Sequence, residues 1–284
     1  MANEADDDAA QPLLAPEVTA HYADGYEAQR LTRRHDTDSI EFLRTKELAL
    51  RYLPPAPATI LDVGGGPGAY ALWLARLGYS VHLVDALPLH VELAQAASAA
   101  QPDAPLASAT LGDARQLTQA DASADATLLL GPLYHLTERD DRVQALREAR
   151  RVTRPGGVVL AAAISRYASL IDCILNGRFA DPVASEIVEQ DIADGQHRNP
   201  TNHPNYFTTT YFHHPSELAD EMADAGLRHV ATLAIEGLAW LATYQEGWNV
   251  PTQRERILSA LRLTEQEPTV LGATSHLLAI AQVE

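Results

Sequence analysis

Short apolar runs alternate with amphipathic segments of helical length through the middle of the chain. Segments such as 87–99 and 139–152 carry apolar residues at helical spacing, whereas the runs between them have the length of buried strands. The predicted strands lie at 59–63, 80–84, 106–111, 126–130 and 158–164. Strands that alternate with helices pair in parallel, so the pattern predicts an α/β fold with a doubly wound, mostly parallel sheet.

The segments before this region predict different structure. Residues 1–16 are rich in alanine and aspartate and predict a disordered tail. Residues 17–58 predict a helical cap, which ends at a cluster of prolines.

The alternation fails again after the fifth strand. Residues 166–212 are longer than an ordinary connection and contain two predicted helices. The alternation then resumes with a helix at 215–225, a strand at 229–236, a mainly helical stretch at 240–263 and a last strand at 275–283. We therefore expect residues 59–284 to form one domain that carries residues 166–212 as an insertion.

The sequence ILDVGGGPGAY at residues 60–70 joins the first strand to the helix after it. Gly64, Gly66 and Ala69 fit the dinucleotide pattern G-x-G-x-x-G/A. Gly64, Gly66 and Gly68 also fit D-x-G-x-G-x-G, with Asp62 as its acidic residue. A pyrophosphate needs free N–H groups, but Pro67 removes one and Asp62 adds a negative charge. The loop therefore favours a cationic ligand, with a dinucleotide as the alternative.

The D-x-G-x-G-x-G pattern resembles the signature of class I S-adenosylmethionine-dependent methyltransferases. The resemblance covers about residues 59–164 and, more loosely, the last two strands. It implies a Rossmann-like sheet of seven strands with an antiparallel last strand. It also implies transfer of a methyl group from S-adenosyl-L-methionine to an acceptor by in-line displacement, with the cofactor held by Asp62, Gly64, Gly65, Gly66, Asp85, Asp113, Ala114, Leu130 and Gly131.

Four positions beyond the loop carry the resemblance. Asp85 closes the second strand, where a carboxylate can accept hydrogen bonds from ribose hydroxyls or cap the next helix. Asp113, after the third strand, resembles the residue that accepts from the adenine amine. Leu130 and Gly131 resemble the lip between cofactor and acceptor. The turn at 154–157, Arg-Pro-Gly-Gly, resembles a structural turn of the family.

The sequence indicates the residues of the acceptor site less specifically than those of the cofactor site. His135 is the best-placed general base, and a packing or cofactor-covering role is the alternative. In the family, an N-terminal helix and an insertion after the fifth strand often cover the active site. The resemblance therefore implies that residues 166–212 form a lid and that the acceptor contacts come from Tyr22, Tyr26, Arg30, Tyr134, His197, His203, Tyr206 and Tyr211. The histidine spacings match no metal signature, so we expect no metal.

The composition of the chain limits which class of acceptor and which cellular compartment we expect. The formal net charge of -17 disfavours a nucleic-acid substrate. The chain also lacks the Asn/Asp-Pro-Pro-Tyr motif of enzymes that methylate base amines, so a small-molecule acceptor is expected. Cys173 is the one cysteine, and there is no secretory signal or membrane-length apolar run, so the sequence predicts a cytoplasmic protein without a membrane partner.

Two other functions stay open. An NAD(P)-dependent oxidoreductase would use the same loop, although the Tyr-x-x-x-Lys pair of short-chain dehydrogenases is absent. A non-catalytic sensor would keep the cofactor motifs. The acceptor, the methylated atom and the oligomeric state are not determined by the sequence.

Overall fold

The computed structural model describes residues 13–23, 39–203, 205–244 and 246–284. Most of the predicted tail, together with Tyr26 and Arg30, lies outside the described residues. Within them, the predicted cap contains helices α1 (Pro16–Tyr22) and α2 (Ile40–Tyr52). None of the described helices has the length and apolar character needed to span a bilayer.

The described residues form nine strands in chain order. Their bounds are β1 (Thr59–Val63), β2 (Ser80–Asp85), β3 (Ser108–Leu111), β4 (Ala124–Leu129), β5 (Thr153–Ser165), β6 (Gln196–His197), β7 (Thr210–His213), β8 (Arg228–Ala234) and β9 (His276–Gln282). The strands β3, β2, β1, β4 and β5 pair in parallel in that order, and β9 lies antiparallel between β5 and β8. The doubly wound sheet with an antiparallel last strand is therefore confirmed.

Seven further helices follow the N-terminal pair. Their bounds are α3 (Ala69–Arg76), α4 (Pro88–Ala99), α5 (Arg139–Val152), α6 (Ala168–Leu175), α7 (Pro182–Asp194), α8 (Pro215–Asp224) and α9 (Pro251–Thr264). The stretch predicted as helical from residue 240 is in part 3₁₀, at Gly237–Tyr244 and Glu246–Asn249, before α9 begins.

Two apolar cores lie on opposite faces of the sheet. On one face, Leu61 and Val63 pack with α5 and α8 through Leu146 and Met222. On the other, Ile60 packs with α2, α3 and α4 through residues such as Leu74. Successive side chains of β1 therefore pack into the two cores in alternation, as expected of a strand buried on both faces.

The insertion contains a feature that the sequence pattern did not predict. Strands β6 and β7 form a short antiparallel hairpin, and β7 pairs in parallel with the end of β5, with Phe212 opposite Ile164. The sheet thus has two strands more than the seven expected. They are two and four residues long, too short to give a readable alternation.

The turn at 154–157 also differs from its predicted place before the fifth strand. It lies inside β5, where the register against β4 shifts between Ala124 and Ala126. The N–H of Gly156 donates to the carbonyl of Val283, at 2.8 Å, so this turn ties β5 to the end of β9.

Candidate functional site

The loops after β1 and β4 approach each other at the carboxyl ends of their strands. The chain winds from β1 to β3 in one direction and returns to β4 on the other side of β1, which makes this edge a topological switch point. Gly64 has φ +68, and a Cβ there would lie 2.6 Å from Cδ of Pro132. A Cβ at Gly131 would lie 2.6 Å from the Gly64 carbonyl oxygen. Both positions therefore require glycine.

Asp62 is fully buried at the root of the glycine loop. Among the described residues, neither of its carboxylate oxygens has a hydrogen-bond partner. Burial, and secondly the charge of Asp85, raises the pKa of Asp62 to about 7, although the backbone N–H of Ala71 partly opposes this rise. An unpartnered buried carboxylate is costly, so this position is suited to a cationic or hydrogen-bond-donating ligand.

Asp85 organises the loop from the end of β2. Its Oδ2 accepts from the N–H of Gly66 at 2.8 Å, and its Oδ1 accepts from the N–H of Leu87 at 2.9 Å. The ring Nδ1 of His90 lies 3.1 Å from Oδ1. The carboxylate thus holds the glycine loop and the start of α4 together.

These residues surround a first cavity. Every residue predicted to hold the cofactor lines it except Asp113 and Ala114. The Asp113 carboxylate is held by Arg115, with Nη2 to Oδ2 at 2.6 Å and Nε to Oδ1 at 3.0 Å. The adenine-binding role of Asp113 therefore stays a prediction. Leu14 and Tyr22, from the N-terminal part, also line this cavity.

A second, larger cavity of about 790 Å³ adjoins the first. Tyr22 and Tyr134 line both cavities. Most of the second wall comes from the insertion, including the predicted acceptor residues His197 and Tyr206. The structure thus brings seven of the nine predicted cofactor residues and four of the eight predicted acceptor residues to neighbouring spaces.

His135 lies at the boundary and lines the first cavity. Its Nε2 is 2.9 Å from the hydroxyl of Tyr22. Burial lowers the pKa of His135 to about 4, so the ring is neutral at physiological pH.

Two predicted acceptor residues lie away from both cavities. Tyr211 is stacked under the guanidinium of Arg142, 3.7 Å from its ring centroid, and accepts from Arg166 at 3.2 Å. His203 is exposed, and its Nδ1 accepts from the N–H of Asn205 at 3.1 Å. Tyr211 therefore connects the hairpin to α5, whereas His203 shapes a surface turn.

The structure adds site residues that no motif indicated. Within the described part of the chain, ligand atoms of Glu41, Glu236 and His276 lie within 4.8 Å of one another, an arrangement that could hold a cation. Glu236 already accepts from the Thr274 hydroxyl at 2.7 Å and from the ring Nδ1 of His276 at 2.5 Å. These three residues come from α2, the segment after β8 and β9, so local sequence gave no signal.

Known proteins resemble this chain mainly in the motif-bearing half. A family model described as a methyltransferase domain matches residues 61–161. Methyltransferase GfsG of Streptomyces halstedii is 33% identical over 51% of this chain and 48% of its own length. O-methyltransferase resE of Aspergillus sclerotiorum is 34% identical over 39% of this chain and 42% of its own length. The chain thus spans less than half the length of these curated relatives.

The fold resembles that of solved methyltransferases over most of its length. A S-adenosylmethionine-dependent methyltransferase from Methanosarcina mazei superposes with a TM-score of 0.55 and 19% identity, covering 83% of this chain and 96% of that one. The fold is therefore that of class I methyltransferases. The family match to residues 61–161 covers the glycine loop and agrees with the methyltransferase resemblance that this loop predicted.

Proposed function

We propose that the protein transfers a methyl group from S-adenosylmethionine to a small-molecule acceptor. The observation that carries this proposal is the pair of adjoining cavities, one built on the glycine loop around Asp62 and the other lined mostly by the insertion. Because Tyr22 and Tyr134 line both, a donor in the first and an acceptor in the second would meet at these tyrosines.

The residues that line the first cavity suit the chemistry of the methyl donor. When bound, S-adenosylmethionine supplies a methyl group already activated by the sulfonium charge. The unpartnered carboxylate of Asp62 suits the ligand's cationic end. Asp85 has three donors in the protein, and an ionised carboxylate offers about four acceptor sites, so it can also accept from a ribose hydroxyl.

The second cavity fits a small, partly aromatic acceptor. Its walls include the rings of Tyr206, Phe207 and Phe212, with a few polar groups such as Ser169 and Arg178. A volume of about 790 Å³ lies in the range of small-ligand pockets. The net charge of -17 also disfavours a nucleic-acid acceptor.

His135 and Tyr22 would lie between the methyl donor in the first cavity and the acceptor in the second. A ring with a pKa of about 4 is a weak proton acceptor, and its Nε2 is engaged by the Tyr22 hydroxyl. We therefore assign His135 a positioning role in place of the general-base role that its sequence position favours.

A dinucleotide fits less well. It would bring its pyrophosphate to a loop that has the buried carboxylate of Asp62 at its root and lacks an N–H at Pro67. A sensor would use the same two cavities without transferring the methyl group, so the labelling experiment distinguishes it from an enzyme.

Calorimetric titration tests the proposal, with S-adenosylmethionine, its demethylated product and NAD as separate ligands. We expect the first two to bind and NAD not to bind. Tight NAD binding without S-adenosylmethionine binding would exclude the proposal. Transfer of label from methyl-labelled S-adenosylmethionine to small molecules of a bacterial extract distinguishes an enzyme from a sensor.

A further inference from the structure

The second cavity contains an imidazole–carboxylate pair that no motif indicated. We propose that His197, held by Asp191, is the catalytic residue that accepts the proton of the acceptor's hydroxyl, and that the acceptor is a phenol. This inference rests on the proposed function and specifies its substrate class.

The pair is buried and well aligned. Asp191 is fully buried in α7, and His197 is 3% exposed in β6. The ring Nδ1 of His197 lies 2.8 Å from Oδ2 of Asp191. A carboxylate at this distance fixes the Nδ1–H tautomer and stabilises the imidazolium that forms when Nε2 takes up a proton.

The local fold sets this geometry. Helix α7 ends at Gly195, whose φ is +77, and a Cβ there would lie 2.4 Å from the Phe212 carbonyl oxygen. The chain reverses at this glycine, so β6 returns beside the helix it has just left. The ring of His197 then stacks on Phe212, with centroids 4.8 Å apart and planes 13° apart. Both the plane and the tautomer of the imidazole are thus fixed by neighbours.

The second ring nitrogen is available for a ligand. In the described part of the chain, Nε2 of His197 is buried without a hydrogen-bond partner, and His197 lines the second cavity. A buried polar atom without a partner is costly, and an acceptor hydroxyl in this cavity would supply the missing donor.

The chemistry selects a phenol over an aliphatic alcohol. A phenolic hydroxyl has a pKa near 10, which is within reach of a neutral imidazole, and the aromatic walls suit a flat ring. The phenolic oxygen forms the new O–C bond with its own electron pair, and the pair of the broken S–C bond stays on sulfur, which becomes neutral. The phenolic proton moves to Nε2 of His197 and passes to solvent after the product leaves.

One other imidazole–carboxylate pair borders this cavity. His276 has its Nδ1 2.5 Å from Oε1 of Glu236, and its side chain is 24% exposed. His197 is the stronger candidate because its pair is buried and its Nε2 needs a partner. His276 is therefore the comparison variant for the test.

Chromophoric phenols test the assignment without turnover. The protein is saturated with S-adenosylhomocysteine, then titrated with 4-nitrophenol and 4-nitro-1-naphthol, whose phenolate forms absorb at longer wavelength. The variants are His197→Phe, which retains a ring to stack on Phe212, His197→Gln, Asp191→Asn and His276→Phe. His203→Phe, on the same segment but outside the cavity, is the matched control. Thermal melting checks the fold of each variant.

We expect wild type and His203→Phe to ionise a bound probe at a pH at least one unit below that for His197→Phe and His197→Gln, with Asp191→Asn between them. His276→Phe should have a smaller effect than His197→Phe. The inference is wrong if no probe binds to the wild-type complex, if the His197 variants ionise it normally, or if only His276→Phe loses the effect. Calorimetry of S-adenosylhomocysteine on the same samples distinguishes failure of this inference from failure of the proposed function. If that ligand fails to bind to the wild type, the proposed function itself is wrong.

Discussion

At the scale of single residues, Asp62 is a site residue that lowers the stability of the folded protein. A fully buried carboxylate without a partner costs free energy, and the raised pKa is the measure of that cost. The neighbouring carboxylate of Asp85 adds to it. Such an arrangement is expected where a cationic ligand completes the site.

Replacing Asp62 with asparagine gives a prediction about pH. The pKa of Asp62 rises from 3.8 to about 7 on folding, so the folded chain binds the proton more tightly than the unfolded chain. The charge therefore lowers stability progressively as pH rises from about 4 to 7, and the cost is constant above that. We expect Asp62→Asn to gain about 3 kcal/mol more in unfolding free energy at pH 8 than at pH 5.

Urea unfolding at both pH values measures this gain. Asp103→Asn, at an exposed carboxylate, is the control and should show the same stability change at both. An equal effect of Asp62→Asn at pH 5 and pH 8 would contradict the prediction.

Asp85 is predicted to hold the cofactor. Asp85→Ala should weaken S-adenosylhomocysteine binding by about 1.5–3 kcal/mol, the usual cost of losing hydrogen bonds to a charged group. The substitution also frees the N–H groups of Gly66 and Leu87, so the loop loses an anchor. Calorimetry measures the affinity, and unchanged affinity in a folded variant would remove Asp85 from the site.

At the scale of elements, the insertion is anchored by a buried ionic cluster. Glu221 of α8 pairs with Arg142 of α5 at 2.7 Å and with His213 of β7 at 3.2 Å. Although burial opposes it, His213 and Arg142 hold the pKa of Glu221 below its ordinary value. The hairpin is thus fastened at one end to the main fold.

Breaking this cluster should be costly. Glu221→Gln leaves Arg142 buried without its charge partner, and removal of one member of a buried pair costs about 3–5 kcal/mol. Asp224→Asn, on the same helix, breaks an exposed pair with Arg139 and should cost less than about 1 kcal/mol. Chemical denaturation of both variants measures the difference, and equal losses would show that burial does not set the cost.

The cavity-lining part of the insertion gives a separate prediction. Tyr206 lines the second cavity, whereas the nearby His203 does not. Tyr206→Ala should weaken 4-nitrophenol binding roughly tenfold through lost aromatic contact, with affinity for S-adenosylhomocysteine unchanged. His203→Ala should change neither. If Tyr206→Ala alters the sedimentation state instead, the insertion is an interface between copies.

At the scale of the whole molecule, a short helix lies at the first cavity. Helix α1 has seven residues, and among the described residues it packs through a buried cluster of Val18, Tyr22 and Leu87. Short elements open locally at a lower free energy than the core of a fold. A ligand in the first cavity would contact Tyr22 and so stabilise this helix.

Hydrogen exchange measures this coupling. At a concentration about 100 times its dissociation constant, S-adenosylhomocysteine should slow exchange in α1 by up to about 100-fold. Helix α9, which lines neither cavity, should be unaffected. Equal slowing of both helices would indicate global stabilisation instead of closure over the site.

Local sequence determined the parts of the protein that depend on local physics. Short apolar runs predicted the main strands, and the 3.6-residue period predicted the main helices. The glycine loop with Asp62 and Asp85 predicted the first cavity, because a backbone that approaches a ligand needs glycine at defined positions. The tertiary structure alone decided the pairs that join distant segments. Arg142 meets Glu221 across 79 positions of sequence, and Tyr22 meets His135 across 113. Such contacts depend on how elements pack, which no local pattern records.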